Sequence, residues 1–512
     1  MQRSLQPFNR DTLTSEERMS KKQFRYVADW QRYYQEHLVS ADEAVKAVQS
    51  GDIVAIPIFP PRSLLEPLFR RHEELENVTL RLLAPATDPG WFQPGFEKSF
   101  NIEFELYIGD FARFVMDEHR ATYLPDLFSL MFKGYDERPG ETPEADVVLV
   151  SVSPPNPQGY VHFGVHNWMK RAYVRRVRTA IAEVDPSLIP VHGDVWAHVS
   201  EFDYFVEYQP PAFGEAEFEA IIAPLPEEQK AAWRQLAQEA GVASLAPLAG
   251  VMTAISPDDA RRFLGLVPPA EEVKTIAGYL STLIRDGDCI QIGTGDPSRL
   301  MPNLGVFDNR VDLGLHTELG SPGLGRLVKE GVINGRRKTI NRGKAVATAW
   351  TGCDANDFAI IADNPAFELY DPDYVLNLRT LAQIDNFVAI NNAVSIDFFG
   401  QINSESRFGP NMINGTGGQP EMHMGGIISR GGRSITLLPS TALGGSVSRI
   451  VPVMEAGSIV TIPRYFADIV ITEYGIARLW GKNHRQRAEE LISIAHPDFR
   501  AELRKELQKL MY

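Results

Sequence analysis

The chain has 512 residues, 44% hydrophobic and 23% charged, with 40 glycines and 35 prolines spread along its length. This composition suits a globular chain of two or more domains and excludes a low-complexity one. The formal net charge of -15 argues against a general nucleic-acid binder, which needs a basic face, but leaves room for a small anionic ligand in a local pocket.

In chain order, residues 1–25 form a polar tail without the apolar core of a secretory signal. Ser40-Ala41-Asp42-Glu43 has the form of a capping box and predicts a helix through Val45 and Val48. Ser50-Gly51-Asp52 predicts a turn, and Ile53–Ile56 a buried strand. The same order returns later, with a helical pattern over 273–284, the turn Asp286-Gly287-Asp288 and the strand Cys289–Ile292. Two further pairs follow. The apolar run 146–150 is matched by 386–390, and the run 202–207 by 467–473.

Three pairs in one order predict two related α/β domains in tandem, with mostly parallel buried sheets. We place them at 26–223 and 270–512, with 224–269 as a linker or inserted helical segment. Residues 485–512 carry the pattern of one amphipathic helix. Cys289 and Cys353 cannot make a disulfide framework and lack metal-site spacing, which suits a reducing compartment. No apolar run is long enough to span a bilayer. The expectation is a cytoplasmic protein with no membrane or nucleic-acid partner.

Four segments could carry chemistry. Gly293-Thr294-Gly295 follows a strand, where glycines leave amides open to an anion. A dinucleotide fingerprint would need a third glycine at Ser298, so alone this reads as a tight strand-to-helix turn. Next, an apolar strand runs through Leu315 and His316 into Glu318 and the loop Gly320-Ser321-Pro322-Gly323. Functional groups of α/β proteins sit at such strand ends. Taken alone, Glu318 fits at least as well as an N-terminal acid of a helix through Leu324 and Leu327.

The third segment, Asn414-Gly415-Thr416-Gly417-Gly418-Gln419, opens a stretch with glycine pairs at 425–426, 431–432 and 444–445. Such density can supply the amides of an oxyanion hole. The fourth, 335–344, is the most basic run of the chain, and fits a phosphate contact or a solvated hairpin equally. The histidines lack metal-binding spacing, and no Gly-x-Ser-x-Gly elbow occurs.

Together these segments resemble the acetyl-CoA hydrolase/transferase family. The motifs are His316-Thr317-Glu318, Gly331-Val332-Ile333-Asn334, Asn414 to Gln419, Ser448-Arg449-Ile450-Val451-Pro452, Thr472-Glu473-Tyr474-Gly475 and His496-Pro497-Asp498-Phe499-Arg500. Ser151 to Pro155 and His192-Gly193-Asp194 add to them in the first half.

The resemblance implies a CoA-transferase with its site in the interdomain cleft and Glu318 as nucleophile. It implies that amides of Gly293, Thr294 and Gly295, and of the loop Asn414, Gly415, Gly417, Gly418 and Gln419, hold CoA and the thioester oxygen. Coenzyme A is then a substrate, with no permanently bound cofactor and no metal. The partners are acyl-CoA and carboxylate small molecules, and the assembly a homodimer or higher homo-oligomer.

Two departures stand out. Pro420-Glu421-Met422-His423 replaces the family's small residue followed by Asp-Phe, and Pro57, Phe59, Pro60 and Pro61 stand where the family has glycines. Rival readings are an acyl-CoA hydrolase using the same glutamate, a non-catalytic CoA-binding protein and a nicotinamide-dependent oxidoreductase.

Overall fold

A computed structural model describes residues 27–85, 87–107, 110–210, 212–249, 252–253, 255–407 and 409–511. The polar tail assigned to 1–25 lies outside the described residues.

The principal strands are β1 (Ile53–Ile56), β2 (Val78–Leu83), β3 (Phe100–Leu106), β4 (Ala121–Tyr123), β5 (Val147–Val152), β6 (Thr179–Val184), β7 (His192–Gly193) and β8 (Tyr204–Glu207) in the first half. The second half adds β9 (Cys289–Ile292), β10 (Gly314–His316), β11 (Ala345–Ala347), β12 (Phe367–Leu369), β13 (Phe387–Asn392), β14 (Arg433–Leu437), β15 (Ile469–Thr472) and β16 (Gly475–Arg478). The first sheet runs β8-β6-β5-β1-β2-β3-β4 and is parallel throughout. The second runs β16-β15-β14-β13-β9-β10-β11-β12-β7 and is parallel except for the terminal β15–β16 pair.

The two orders superimpose strand for strand, β1 on β9, β5 on β13 and β8 on β15. All three sequence pairs fall on equivalent strands. The polar contacts at the strand starts repeat as well. Asp52 accepts the Gln49 N–H at 2.8 Å and pairs with Arg178. Asp288 accepts the Arg285 N–H at 2.7 Å and pairs with Arg433. Asp203 accepts the Ala180 N–H, and Asp468 the Ser434 N–H. Asp52 and Asp288 satisfy amides of the turns that lead into β1 and β9, and Asp203 and Asp468 satisfy amides of the neighbouring strands β6 and β14.

Alternation along the strands builds three layers of core. Val54, Leu80, Val147 and Leu149 face the outer core of the first half. Ile290, Leu315, Val388 and Ile435 do the same in the second. The opposite faces meet in one apolar cluster between the halves, with Val148 and Val150 from β5 and Phe387 and Ala389 from β13.

The halves are also joined through the sheet, because β7 comes from the first half and hydrogen-bonds to β12 at the edge of the second sheet. This strand needs glycine. A Cβ on Gly193 (φ +106°) would lie 2.2 Å from the Leu369 carbonyl oxygen.

Three expectations change. The helical insert begins earlier than residue 224, since the helix Glu215–Ile222 packs through Phe218 and Ile222 on Trp233, Leu236 and Leu248 in a core of its own. The C-terminal segment is two helices, His484–Ser493 and Pro497–Met511, broken before Pro497. Within the basic run, Lys338 is buried and donates to the carbonyls of Leu315 and Lys344 at 2.9 and 2.8 Å. It braces β10 and is not open to phosphate. No helix among the described residues is long and apolar enough to cross a membrane.

Candidate active site

Glu318 follows β10 at the carboxyl end of the second sheet. Its backbone is fixed from both sides. The Glu318 carbonyl accepts the Thr348 N–H at 2.9 Å, the Thr348 hydroxyl at 2.5 Å and the Ala349 N–H at 3.3 Å. Thr317 bridges both neighbouring strands: its Oγ1 accepts the Ile292 N–H of β9 at 3.3 Å, and its own N–H donates to the Val346 carbonyl of β11 at 3.0 Å. With the backbone held this way, the side chain points at the glycine loop.

There the Gly418 N–H donates to both Glu318 carboxyl oxygens, at 3.0 and 2.9 Å. Gly418 is the N-cap of the helix Gln419–Ile428, so the carboxyl sits at a helix N-terminus, where the dipole favours an anion. Pro420 in the first turn costs no hydrogen bond, since that amide has no partner within the helix.

The approach requires glycine. A Cβ on Gly418 would lie 2.1 Å from Leu376 Cδ2 and 2.6 Å from Glu318 Oε2. Gly417 adopts φ +60°, with its Cβ position 3.4 Å from Glu318 Oε1. Glu318 keeps part of its surface open but lies deep in the seam. Burial pushes its carboxyl up to about 8, the Gly418 N–H pulls the other way, and Glu421 adds to the rise.

The other predicted residues divide. The Gly415 N–H donates to the Tyr107 carbonyl at 3.0 Å, the Thr416 N–H to the Tyr123 hydroxyl at 3.4 Å, and Asn414 Nδ2 to the Gly415 carbonyl at 2.8 Å. These anchor the loop on the first half and do not face Glu318 directly.

The Gly293 turn is linked to the loop through residues that sequence reasoning missed. Gln419 Nε2 donates to the Asn392 carbonyl at 2.9 Å. The Asn392 side chain accepts the Ser298 N–H and donates to Ser298 Oγ, each at 2.9 Å. Ser298 Oγ in turn lies 2.7 Å from the Gly293 carbonyl and 3.0 Å from that of Gly295. The Gly293 N–H is engaged by the Ile390 carbonyl at 2.8 Å, which leaves Thr294 and Gly295 as the turn's candidate donors. A polar Asn391-Asn392 pair closing an apolar strand was the signal available in the sequence.

Of the later glycines, Gly425 packs against Leu381 and Gly426 against Ser434 and Arg433, whereas Gly444 and Gly445 face open space in left-handed turns at φ +66° and +90°. Glu318 is not a helix-capping acid of the following helix, which begins only at Leu324.

Two family models match, the acetyl-CoA hydrolase/transferase N-terminal domain over residues 18–211 and the C-terminal domain over 355–507. Glu318 lies between them, in a region that full-length relatives cover. One is the 4-hydroxybutyrate coenzyme A transferase of Clostridium kluyveri, 32% identical over 487 residues, 94% of this chain and 99% of that one.

The chain belongs to the acetyl-CoA hydrolase/transferase family.

A second member of this family, the succinyl-CoA:cyclohexane-1-carboxylate CoA transferase of Geobacter metallireducens, is 30% identical over 93% of this chain and 95% of its own. RipA from Yersinia pestis has the same fold, with TM-score 0.75 and 28% identity over 94% of this chain and 99% of that one. Among acetyl-CoA hydrolase/transferase proteins, then, this chain spans essentially the whole length of its CoA-transferase relatives and is an enzyme of that kind.

Proposed function

We propose that the enzyme moves CoA from a short-chain acyl-CoA, acetyl-CoA among them, to a carboxylic acid by ping-pong chemistry on Glu318. The observation that carries this reading is the bifurcated Gly418 N–H contact to a deeply placed carboxyl. A Glu318 oxygen attacks the thioester carbonyl, the C–S bond breaks, and CoA leaves as thiolate. The product is a mixed anhydride of Glu318 and the acyl group. The thiolate then attacks the Glu318 carbonyl carbon and expels the donor acid as carboxylate, leaving a glutamyl-CoA thioester. The acceptor carboxylate reverses both steps and departs as the new acyl-CoA.

The raised proton affinity of Glu318 suits this chemistry. A more basic carboxylate is the stronger nucleophile, and a buried site favours the uncharged anhydride and thioester over the anion. Each tetrahedral intermediate places negative charge on the former carboxyl or thioester oxygen. The Gly418 amide, already within hydrogen-bond reach of either Glu318 oxygen, supplies a fixed donor there. Amides of Thr294 and Gly295 are proposed as donors for the substrate carbonyl. Leu376 beside Gly418, and Leu106 and Tyr123 beside Gly415, give an apolar setting for a short chain.

Coenzyme A enters as substrate and no other cofactor is called for. The chain is further proposed to work as a homo-oligomer in a reducing cytoplasm, where its buried thiols Cys289 and Cys353 stay unpaired.

The test is CoA release from acetyl-CoA with and without added short-chain acids. Transfer requires the acid and is lost in Glu318→Ala. Full turnover without acid would show a hydrolase, and full turnover of Glu318→Ala would remove Glu318 from the reaction.

A further inference from the structure

Glu421 is a second acid at the same helix N-terminus. It occupies the first turn of the helix Gln419–Ile428, three residues after the Gly418 cap that holds Glu318. The residue is 1% exposed. One oxygen, Oε1, accepts the Ser129 N–H of the first half at 3.1 Å, while Oε2 is buried without a hydrogen-bond partner. A buried carboxylate oxygen left unpaired is costly, so a structural tether alone does not account for an acid here. A glutamine or serine would accept the same N–H more cheaply.

The groups around the two acids are few. Glu421 bonds the Ser129 N–H, with the Ser129 hydroxyl and the Phe128 backbone close by but outside hydrogen-bond geometry; Glu318 bonds the Gly418 N–H and feels the charge of Glu421. On the same helix, His423 is held by Thr436 and Asn391, and burial depresses it to about 4, so it is neutral at working pH. No basic side chain contributes to either carboxyl among the described residues. Two acids with no cation between them repel when both are ionised. Acylation of Glu318 removes one of the two charges.

We infer that Glu421 is a positioning residue that, through its charge, disfavours the free Glu318 carboxylate relative to the neutral glutamyl thioester, while its Ser129 contact clamps the first half onto the Gly418 helix. This rests on the thioester chemistry proposed above. It gives the acid a task beyond packing: to keep Glu318 basic and bias the enzyme toward its CoA-loaded form. Burial pushes Glu421 itself up to about 7, so the effect grows as it ionises above neutrality.

The test is Glu421→Gln, which keeps the shape and an acceptor for Ser129 but removes the charge. Two quantities are read across pH 5.5–9: the acid limb of kcat/KM, and the fraction of protein carrying CoA at a fixed acyl-CoA to acid ratio, by intact mass. Glu421→Gln is expected to move the limb to lower pH by about half a unit or more and to lower the ratio of loaded to free enzyme at pH 8 about twofold or more. Glu421→Asp, which restores the charge, is expected to return the limb toward the wild-type position.

A folded Glu421→Gln whose limb and loaded fraction match the wild type overturns the inference. So does a variant series in which Glu421→Asp and Glu421→Gln behave alike. If the wild type itself never carries CoA, the thioester reading fails first, and that outcome is distinct from the other two.

Discussion

The Gly418 N–H reaches both carboxyl oxygens of Glu318 from 100 residues away, at 3.0 and 2.9 Å. The contact exists because the turn after one strand and the cap of a later helix meet at the seam between the halves. Gly418→Ala tests it. Its backbone conformation suits alanine, but the new Cβ would press on the fully buried Leu376 and on Glu318, which must shift to admit it. The protein should fold with a stability loss of about 1–3 kcal/mol. Turnover should fall on the order of 100-fold, the usual cost of misplacing a reacting group by about 1 Å.

A second prediction concerns pH. Glu318 attacks only as carboxylate, and burial raises it to about 8, so kcat/KM should climb as pH rises toward 8 and level off above it. The stability linkage has the opposite direction. Between the ordinary value of 4.5 and about 8, the folded protein holds a proton that the unfolded chain has released. This contribution is intact below pH 4.5 and is lost as pH rises through 8. Glu318→Gln, measured by thermal melting, should therefore match the wild type near pH 4.5 and melt higher at pH 8.5.

Thr348→Val removes one hydroxyl and keeps the shape. The hydroxyl donates to the Glu318 carbonyl at 2.5 Å, alongside the Thr348 and Ala349 amides, which remain. Losing one of three bonds should cost about 1 kcal/mol of stability and lower kcat about tenfold, with KM little changed. Steady-state kinetics and denaturant unfolding check both.

Gly193→Ala should do the reverse, harming the fold more than the chemistry. Its Cβ would meet the Leu369 backbone, which cannot rotate away as a side chain can, and the φ of +106° is itself unfavourable for alanine. The β7 strand would lift from β12. Stability should fall by about 2 kcal/mol or more, with near-normal kcat per folded molecule at low temperature.

Much of the fold was legible because strands buried on both faces read as apolar runs. Ile53–Ile56 and Cys289–Ile292, each after a Gly-Asp turn, announced the duplication. The strand that the first half lends to the second sheet was not legible, since His192-Gly193 has no strand pattern and is set by the neighbouring Leu369.

At the site, Glu318 and the Gly415–Gly418 glycines were visible as unusual residues at strand and loop ends. Thr348 and Ser298 were not, and Asn392 was signalled only by the Asn391-Asn392 pair at its strand end. Thr348 and Ser298 are single polar residues in ordinary surroundings, and only the sheet order brings each to the turn it supports. The competing idea of Glu318 as a helix-capping acid failed because Gly323, at φ +90°, delays that helix to Leu324.

The most direct measurement is peptide mass spectrometry of the enzyme quenched after exposure to acetyl-CoA. CoA should be found on the peptide containing Glu318 and nowhere else, and should disappear when an acceptor acid is added; hydroxylamine should inactivate only the loaded enzyme. Rapid transfer with no CoA bound to that peptide, or with CoA attached to another side chain, would contradict the account.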